Sequence, residues 1–325
     1  MKAIVSNKYG TPETLTLSDI NRPLPKEGQV LVKIYAASLN YGNLVLLSGK
    51  PFLARFAFGL FKPKYQIPGG DIAGVVEAVG NGVTQFKQGD EVLGDLSQSG
   101  WGGFAEYAAV PEKALAIKPE NLSFAEAAAV PMAGTTALQA LRNNGKILPG
   151  HKVLIYGASG GVGTFAIQIA KALGAEVTGV CSTRNIEKIK SLGADYAIDY
   201  AKEDITKNSQ KYDLILAVNG YQPIHAYKQL LTEKGRYVMV GGKGKQMRDA
   251  MLLGPFLSLS SDKKFGNMLQ RANQSDLNFL RNLIEQNKLK PVIDKEFLIS
   301  EAAEAYRYLQ EGHAQGKVII KVADD

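Results

Sequence analysis

Apolar and polar positions alternate between two periods along the middle third of the chain. Residues 152–156 form a short β-branched and apolar run, which is typical of a buried strand. Apolar side chains then recur at helical spacing over residues 162–173, until Gly174 ends the helix. The alternation predicts an α/β fold with a doubly wound parallel sheet. The predicted strands are residues 152–156, 175–180, 196–198, 214–218 and 237–240, and the predicted helices are residues 162–173, 186–192 and 227–231.

The first third of the chain has a different pattern. Short apolar runs are separated by Gly, Pro and Asn turns, and few helical periods lie between them. This pattern predicts a β-rich, partly closed unit. The runs are residues 2–5, 30–36, 74–79, 91–94 and 105–110.

The last part of the chain predicts two amphipathic helices, near residues 276–287 and 302–309, and a final strand at residues 317–322. A lone strand beyond the parallel sheet would be an exposed edge, so we expect it to pair with the β-rich unit. The expected domains are residues 1–124, residues 125–269, and residues 270–325 returning to the first domain.

A glycine-rich turn joins the first predicted strand of the middle third to its helix. Strand, glycine turn and helix is the context in which such a turn binds a dinucleotide in a Rossmann domain. Gly160 lets the backbone approach a pyrophosphate, Gly163 lets helix and strand pack closely, and the helix N-terminus offers N–H groups to the anion. A glycine turn without a ligand is the alternative. The predicted cofactor-binding residues of the turn are Ser159, Gly160, Gly161, Val162 and Gly163.

The end of the second strand of that domain predicts which nucleotide binds. NAD-preferring sites place a carboxylate there, about 20 residues beyond the glycines. This chain has Ser182, Thr183 and Arg184, and the next acidic residue is Glu187. Hydroxyl groups and a guanidinium suit a 2′-phosphate, because Arg can bind phosphate oxygens bidentately. The sequence therefore favours NADPH, with an ordinary strand-to-helix cap as the alternative.

Composition limits the class of protein. A chain of 325 residues is long for one core and suggests two domains. The net charge is +7, but the charges are scattered, so we expect no nucleic-acid partner. Neither a signal-peptide pattern nor an apolar run of membrane-spanning length is present, so we expect a cytoplasmic protein without an integral membrane segment. The apolar residues 250–259 are expected to form a buried lid or an interface segment.

Cysteine and histidine are scarce. Cys181 is the single cysteine, which excludes an internal disulfide and fits a reducing compartment. The three histidines, His151, His225 and His313, lie far apart and at no ligand spacing. We therefore expect no zinc, which favours hydride delivery to an acceptor that is already electron-poor.

Several stretches together resemble one known superfamily. They are Ser-Leu-Asn at 38–40, Pro-Gly-Gly-Asp-Ile-Ala-Gly-Val-Val at 68–76, Phe-Lys-Gln-Gly-Asp-Glu-Val at 86–92, Pro-Met-Ala-Gly-Thr-Thr-Ala at 131–137, the glycine turn, and Gly-His-Ala-Gln-Gly-Lys-Val at 312–318. The chain resembles the zinc-free quinone oxidoreductase branch of the medium-chain dehydrogenase/reductase superfamily, which includes ζ-crystallin and chloroplast-envelope quinone oxidoreductase-like proteins. Zinc-bearing members carry Gly-His-Glu where this chain has Gly69-Gly70-Asp71. The resemblance implies a GroES-like β-rich catalytic domain beside the Rossmann domain.

The resemblance also implies roles for individual residues. Asn40 matches the asparagine beside the nicotinamide. The adjacent Tyr41 is a candidate proton donor by residue type alone, not by a family match. Without the resemblance, Asn40 reads as a turn residue, Thr136 as a helix cap and Tyr200 as a surface aromatic. The other matched positions are Thr136, Gly241 and Gly242 at the nicotinamide end, Ser182, Arg184 and Tyr200 around the 2′-phosphate, and Gly316 and Lys317 in the segment that closes over the site.

One stretch departs from that branch. Its usual Asp, aromatic residue and Lys are replaced here by Asn43, Leu44 and Val45. The corner that is charged in relatives is therefore neutral and apolar. We expect Leu44 and Val45 to line a pocket for apolar acceptors, since buried methylene groups are stabilising there.

The sequence as a whole predicts an NADPH-dependent, zinc-independent reductase that transfers hydride to apolar quinones or α,β-unsaturated carbonyls. We expect a homodimer in which hydride passes directly from nicotinamide C4 to the substrate. Two alternatives stay open at this point. One is an NADPH-binding protein with negligible turnover, acting as a sensor, scaffold or peripheral membrane component, and the other is an enoyl-thioester reductase.

Overall fold

The computed structural model describes residues 1–207, 209–242 and 244–323. In these ranges the strands are β1 (Lys2–Val5), β2 (Thr16–Asp19), β3 (Gln29–Leu39), β4 (Asp71–Val79), β5 (Glu91–Asp95), β6 (Tyr107–Pro111), β7 (Leu115–Ile117), β8 (Lys152–Tyr156), β9 (Glu176–Cys181), β10 (Tyr196–Asp199), β11 (Tyr212–Ala217), β12 (Leu231–Met239), β13 (Lys264–Asn267), β14 (Ile293–Leu298) and β15 (Lys317–Lys321).

Helices connect most of these strands. They are α1 (Tyr41–Ser48), α2 (Arg55–Phe58), α3 (Phe124–Ala128), α4 (Pro131–Gln139), α5 (Gly161–Ala172), α6 (Ile186–Ser191), α7 (Ile224–Leu230), α8 (Gly244–Leu252), α9 (Gly254–Leu259), α10 (Gln274–Glu285) and α11 (Ala302–Gln310). Single 3₁₀ turns lie at Pro12–Thr14, Phe52–Ala54, Glu112–Ala114, Thr183–Asn185, Ile205–Lys207 and Ile299–Glu301, and a π-helical turn lies at Ala140–Asn144.

The chain divides into two units. The first comprises Met1–Ala133, Arg271–Glu285 and Pro291–Asp325, and the second comprises Gly134–Gln270 and Gln286–Lys290. The structure divides the chain after Ala133 and Gln270, and the sequence predicted boundaries after residues 124 and 269. The chain thus leaves the first unit and comes back to it near its end.

The second unit contains a parallel sheet in the order β10-β9-β8-β11-β12-β13. The strand order reverses beside the first strand of the unit, which is the Rossmann topology. Its core is apolar and aromatic, because a parallel sheet is buried on both faces. Buried members include Leu154, Val180, Ile215, Tyr227 and Tyr237. The predicted doubly wound fold is confirmed.

The strands of this sheet agree with the sequence pattern within about two residues, with two exceptions. Strand β12 begins at Leu231, where the pattern predicted the end of a helix, because the chain enters the sheet directly after α7. The expected strand at residues 152–156 has the bounds of β8. The edge strand β13, with the sequence Lys-Phe-Gly-Asn, was not predicted. It is short, with only Phe265 buried, so it has no apolar run to mark it.

The first unit contains a mixed sheet in the order β14-β15-β3-β4-β5-β7, with β6 also paired to β3. The final strand β15 pairs antiparallel with β3, from Val318 opposite Leu39 to Lys321 opposite Ala36. The expectation that the last strand joins the β-rich unit is therefore confirmed. The strand before it, β14, was missed because Lys295 and Glu296 are exposed there and interrupt the apolar pattern.

The expectation that the apolar residues 250–259 form a buried lid is wrong. They form the end of α8 and the whole of α9. Ala250 and Leu257 are buried, but Met251, Leu252 and Phe256 are exposed. Only the interface alternative stands for this stretch. In the described part of the chain, the helices are too short or too polar to cross a bilayer.

Candidate functional site

The glycine turn between β8 and α5 is shaped by two steric requirements. Gly157 has a φ of +88°, which residues with a side chain rarely adopt. A Cβ on Gly163 would lie 2.2 Å from the Gly157 carbonyl oxygen, so helix and turn pack too closely for any side chain. These two glycines are therefore explained by the fold alone.

Gly160 is different, because nothing within the protein crowds it. The nearest atom to a Cβ at this position would be the Gly157 carbonyl oxygen, 3.8 Å away. Gly160 caps α5, whose first N–H groups lack intrahelical acceptors. Open space over a helix N-terminus allows close backbone approach to an anion, so this turn fits the pyrophosphate of a dinucleotide.

The end of β9 adjoins the glycine turn through a buried side chain that was not predicted. The Asn185 amide nitrogen donates to the hydroxyl oxygens of Ser159 and Ser182, each at 3.1 Å. Asn185 thus brings two predicted cofactor residues from separate loops to one place. A buried amide with this function has no distinctive spacing in the sequence, which reads simply as Thr-Arg-Asn.

A carboxylate also lies at this edge of the sheet. Asp199 ends β10 and stands opposite Cys181 at the end of β9. Its side chain accepts hydrogen bonds from the Thr183 hydroxyl at 2.5 Å and from the Ala201 N–H at 3.0 Å. The Thr183 hydrogen bond lowers the pKa of the Asp199 carboxyl, and the Ala201 N–H acts in the same direction. This acid was not predicted, because its place beside β9 depends on which parallel strands end together and not on spacing along the chain.

Two further predicted residues lie at the same edge. The Tyr200 N–H donates to the Cys181 carbonyl oxygen at 3.1 Å. Tyr200 therefore lies beside the end of β9, where Ser182 follows Cys181. Arg184 and the Tyr200 side chain are exposed. The Lys202 ammonium lies 3.9 Å from Asp199. The Lys202 ammonium and the Arg184 guanidinium thus supply positive charge at this edge, against the single negative charge of Asp199.

Beyond β12, Gly241 and Gly242 form a turn held by a buried glutamine. The Gln246 amide nitrogen donates to the Gly241 carbonyl at 2.7 Å. Gly242 has a φ of +110°, and a Cβ on Gly241 would lie 2.8 Å from the Val218 carbonyl oxygen. Both glycines are therefore required by the backbone. Thr136, on α4, is largely buried.

A buried polar cluster lies in the first unit around Asp71, at the start of β4. Its carboxylate accepts hydrogen bonds from the Ser38 hydroxyl and the Asn40 amide nitrogen, each at 2.8 Å, and from the Met132 N–H at 3.0 Å. The Lys317 ammonium lies 3.5 Å from the same carboxylate. Strand pairing creates the cluster, since β3 pairs with both β4 and β15.

Lys317 also fixes the orientation of the Asn40 side chain. Its ammonium donates to the Asn40 amide oxygen at 2.5 Å and to the Leu39 carbonyl at 3.2 Å. An ammonium only donates and a carboxylate only accepts, so the Asn40 oxygen must face Lys317 and its nitrogen must face Asp71. An amide nitrogen carries two N–H groups, and Asp71 uses one of them. Asn40 is half-buried, so its second N–H is a donor of defined direction.

Lys317 is 3% exposed, and all three of its donors have acceptors within the first unit. Burial lowers the pKa of the Lys317 ammonium, and the Asp71 carboxylate opposes that shift. The Lys317 side chain, which the sequence predicted to bind the cofactor, contacts Asn40, Leu39 and Asp71. The sequence identified Asn40 and Lys317 but gave no indication that they touch each other.

The neutral stretch after Asn40 begins α1. The Asn43 amide oxygen accepts a hydrogen bond from the Asn40 N–H at 2.9 Å, so the residue that replaces the usual Asp still caps the helix. Leu44 is half-buried and packs against the core of the first unit. Val45 is half-buried, and Tyr41 is exposed at the first position of the helix.

The apolar wall near Asn40 and Asp71 comes from other residues. A Cβ on Gly70 would lie 3.2 Å from Met132 Cε and 3.4 Å from the Trp101 ring. Gly42 faces the same ring, because a Cβ there would lie 3.2 Å from it. Trp101 is buried and has a φ of +61°. A tryptophan between two glycines gives no periodic pattern, so sequence reasoning overlooked it.

Comparison with known proteins supports one family over the whole length. Residues 26–120 match the alcohol dehydrogenase GroES-like domain and residues 192–320 match the family described as zinc-binding dehydrogenase. The chain is 36% identical to the chloroplast envelope quinone oxidoreductase homolog of Arabidopsis thaliana, over 99% of this chain and 98% of that protein. This chain belongs to the medium-chain dehydrogenase/reductase superfamily. It is an oxidoreductase of the quinone oxidoreductase type, in a family that uses nicotinamide cofactors.

Other members of the superfamily are also similar over nearly the whole chain. The NADPH-dependent alkenal/one oxidoreductase of Arabidopsis thaliana is 36% identical, over 98% of this chain and 79% of that protein. The structure of the quinone oxidoreductase from Coxiella burnetii superposes with a TM-score of 0.86 at 33% identity, and the match covers 99% of both chains. The resemblance read from the motifs is confirmed.

The residues of this superfamily member do not fit a catalytic zinc. Among the described residues, His, Cys, Asp and Glu side chains do not form a group of three or more that could hold a metal ion. Position 70, where zinc-bearing members carry His, is a glycine whose side-chain space is bordered by Met132, Trp101 and Ser97. Although the matched family is described as zinc-binding, the described residues of this chain do not provide a set of zinc ligands.

Proposed function

We propose that this protein uses NADPH to reduce quinones or α,β-unsaturated carbonyls by direct hydride transfer. The observation that supports this most is the fixed orientation of the Asn40 amide. Lys317 and Asp71 hold it in place, and one of its two N–H groups donates to neither of them. Its relatives named for quinone and for alkenal/one reduction support the same class of acceptor. Electron-poor acceptors of this class take a hydride without a metal to polarise them.

The second unit would hold the cofactor. Gly160 and the first N–H groups of α5 would bind the pyrophosphate, since the turn leaves open space there. Ser182 and Arg184, with Tyr200 beside them, would surround the 2′-phosphate. Bound NADPH would supply the hydride. The chain itself binds and orients.

Asn40 would act at the reacting end. Its second amide N–H would donate to a carbonyl oxygen of the nicotinamide or of the acceptor. Lys317 and Asp71 fix the amide in advance, so little reorganisation is needed when a ligand arrives. Lys317 is a positioning residue in this proposal, because it acts through Asn40.

Proton delivery would come from water or from a nearby hydroxyl. Tyr41 follows Asn40 directly and has an exposed side chain, so it is the candidate in this part of the chain. Gly241, Gly242 and Thr136 would border the nicotinamide end, and Gly316 would bring the last strand into the site. These assignments follow the family motif at matching positions.

A homodimer and a reducing, cytoplasmic compartment complete the proposal. The edge strand β13 and the exposed apolar residues of α8 and α9 support an interface in the second unit. The single buried cysteine suits a reducing compartment. Light scattering of the purified chain and fractionation of the source cells test these two points.

A steady-state assay tests the function itself. NADPH oxidation should be supported by quinones and enones, and a panel including enoyl thioesters separates the acceptor classes. Asn40→Ala should lower kcat much more than it weakens NADPH binding, because the proposed contact lies at the reacting end. The proposal fails if the unmutated protein oxidises NADPH with no acceptor of the panel, or if Asn40→Ala has normal turnover.

A further inference from the structure

Five large apolar side chains project into solvent from one short segment, residues 50–64, which joins α1 to β4. Contiguous exposed apolar groups on a folded protein mark an interaction surface, whereas isolated ones do not. Their exposed fractions are 60% for Phe52, 75% for Leu53, 70% for Phe56, 40% for Leu60 and 89% for Phe61.

The segment is anchored, so its exposed side chains are presented by defined structure. The Arg55 guanidinium lies 4.5 Å from the centre of the Tyr9 ring, and the Tyr9 hydroxyl donates to the Gly59 carbonyl. Phe58 points the other way and packs edge-on against Trp101, with ring centres 6.0 Å apart. The segment therefore packs on the first unit through Phe58 and Arg55, while its outer, exposed side chains are largely apolar.

The charge of the segment has one sign. Residues 50–64 contain Lys50, Arg55, Lys62 and Lys64 and no acidic residue. Exposed Lys8 lies on the loop that carries Tyr9, adjacent to the segment. Aromatic and aliphatic groups bordered by Lys and Arg are the composition of surfaces that lie in the interface of an anionic bilayer.

We propose that residues 50–64 dock this protein on the surface of an anionic lipid bilayer. The outer phenylalanines would enter the boundary between headgroups and acyl chains, where aromatic rings are favoured. Lys62 and Lys64 would face lipid phosphates, and each basic residue near such a surface strengthens binding about fivefold. The proposal does not depend on the acceptor or on the cofactor.

The charge pattern favours a bilayer over a second copy of the chain. Two copies meeting through this surface would bring two basic, acid-free segments together, which like-charge repulsion opposes. An anionic bilayer supplies both the apolar phase for Phe56 and Phe61 and the negative charge for the lysines. The net charge of +7 adds a long-range attraction to the same surface.

Co-sedimentation of the full chain with vesicles tests this proposal. Vesicles of phosphatidylcholine alone are compared with vesicles that also contain phosphatidylglycerol, at low and high salt. Phe56→Ser with Phe61→Ser removes the apolar part, and Lys62→Glu with Lys64→Glu reverses the charge. Leu24→Ser and Lys113→Glu are matched controls, because both residues are exposed elsewhere in the first unit.

The unmutated chain should bind phosphatidylglycerol vesicles, and salt should weaken that binding. The double Phe variant should bind on the order of 100-fold more weakly and the double Lys variant about 25-fold or more, whereas the controls should bind as the unmutated chain does. Turnover with a water-soluble acceptor should not change in the Phe variant.

Three results would overturn the proposal. The first is absent vesicle binding, or equal binding to neutral and anionic vesicles. The second is a raised KM for water-soluble acceptors in the Phe variant with vesicle binding intact, which would make the segment a substrate cover. The third is a change of oligomeric state in that variant with vesicle binding intact, which would make it a contact between copies.

Discussion

A sequence motif identifies Lys317 as a functional residue but does not show which groups its side chain contacts. The sequence places it in a glycine-lysine motif near the cofactor, but its ammonium lies against Asn40, Leu39 and Asp71. A buried ammonium is tolerated only where acceptors surround it, and strand β15 brings it to them. The contact joins residues 277 positions apart, so no local pattern could reveal it.

Replacing Lys317 by Met should destabilise the fold and lower turnover together. The change keeps the volume but leaves the Asp71 carboxylate buried without its cation, which costs about 3–5 kcal/mol. The loss is measured as the free energy of unfolding in urea. Lys317→Arg keeps the charge and should recover part of the stability. Stability within 1 kcal/mol or so of the unmutated chain would show that the pair is unimportant.

Arg184→Ala should weaken NADPH binding and leave NADH binding almost unchanged. Losing one charge-assisted contact to the 2′-phosphate costs about 1.5–3 kcal/mol, or roughly tenfold to a hundredfold in affinity. Fluorescence titration with each cofactor measures the difference. Lys190→Ala is the control, because it removes an exposed cation from α6, the helix that follows the turn carrying Arg184. Equal affinity of the unmutated protein for the two cofactors would contradict the assignment.

At the scale of elements, the end of β9 combines a buried thiol with a neighbouring carboxylate. Burial, with the Asp199 charge as a smaller cause, raises the pKa of Cys181 from 9.0 to about 11. Between these values the unfolded chain loses the thiol proton and the folded chain keeps it. The contribution to stability is therefore complete below pH 9 and is lost as the pH rises towards 11.

This loss should amount to about 2–3 kcal/mol for the thiol alone. Burial also raises the pKa values of tyrosines such as Tyr212 and Tyr237 from 10.0, so their contribution to stability is lost only above pH 10. Comparing urea unfolding of the unmutated chain and Cys181→Ala across this range isolates the thiol. The variant should show the shallower decline. In the native protein at neutral pH the thiol should resist alkylation, and rapid modification would show that it is not buried.

Elements with a clear period were predictable, and elements defined by their neighbours were not. The run over residues 152–156 has the bounds of β8, since a buried parallel strand is apolar on both faces. Edge strands β13 and β14 carry exposed charges and have no such run. Asp199 and Asn185 escaped for a related reason, because their roles depend on which strands end side by side.

At the scale of the whole molecule, composition predicts the absence of zinc chemistry. The purified protein should contain no stoichiometric zinc and should keep its activity in a strong chelator. The single cysteine and the crowded space at Gly70 are the physical reasons. Elemental analysis is the measurement, and a value near one zinc per chain would refute this expectation.

The division of the first unit between the two ends of the chain has a consequence during synthesis. Leu39 and Lys317 are 278 positions apart, and at roughly 5–20 residues per second a ribosome needs roughly 14–56 s to cover that distance. During that time the nascent chain exposes the part of β3 that will pair with β15, and Asp71 lacks its ammonium partner. All residues of the second unit are synthesised before Lys317, since the last of them is Lys290. A stalled or shortened chain therefore carries an open strand edge, which is the feature that chaperones and proteases can recognise.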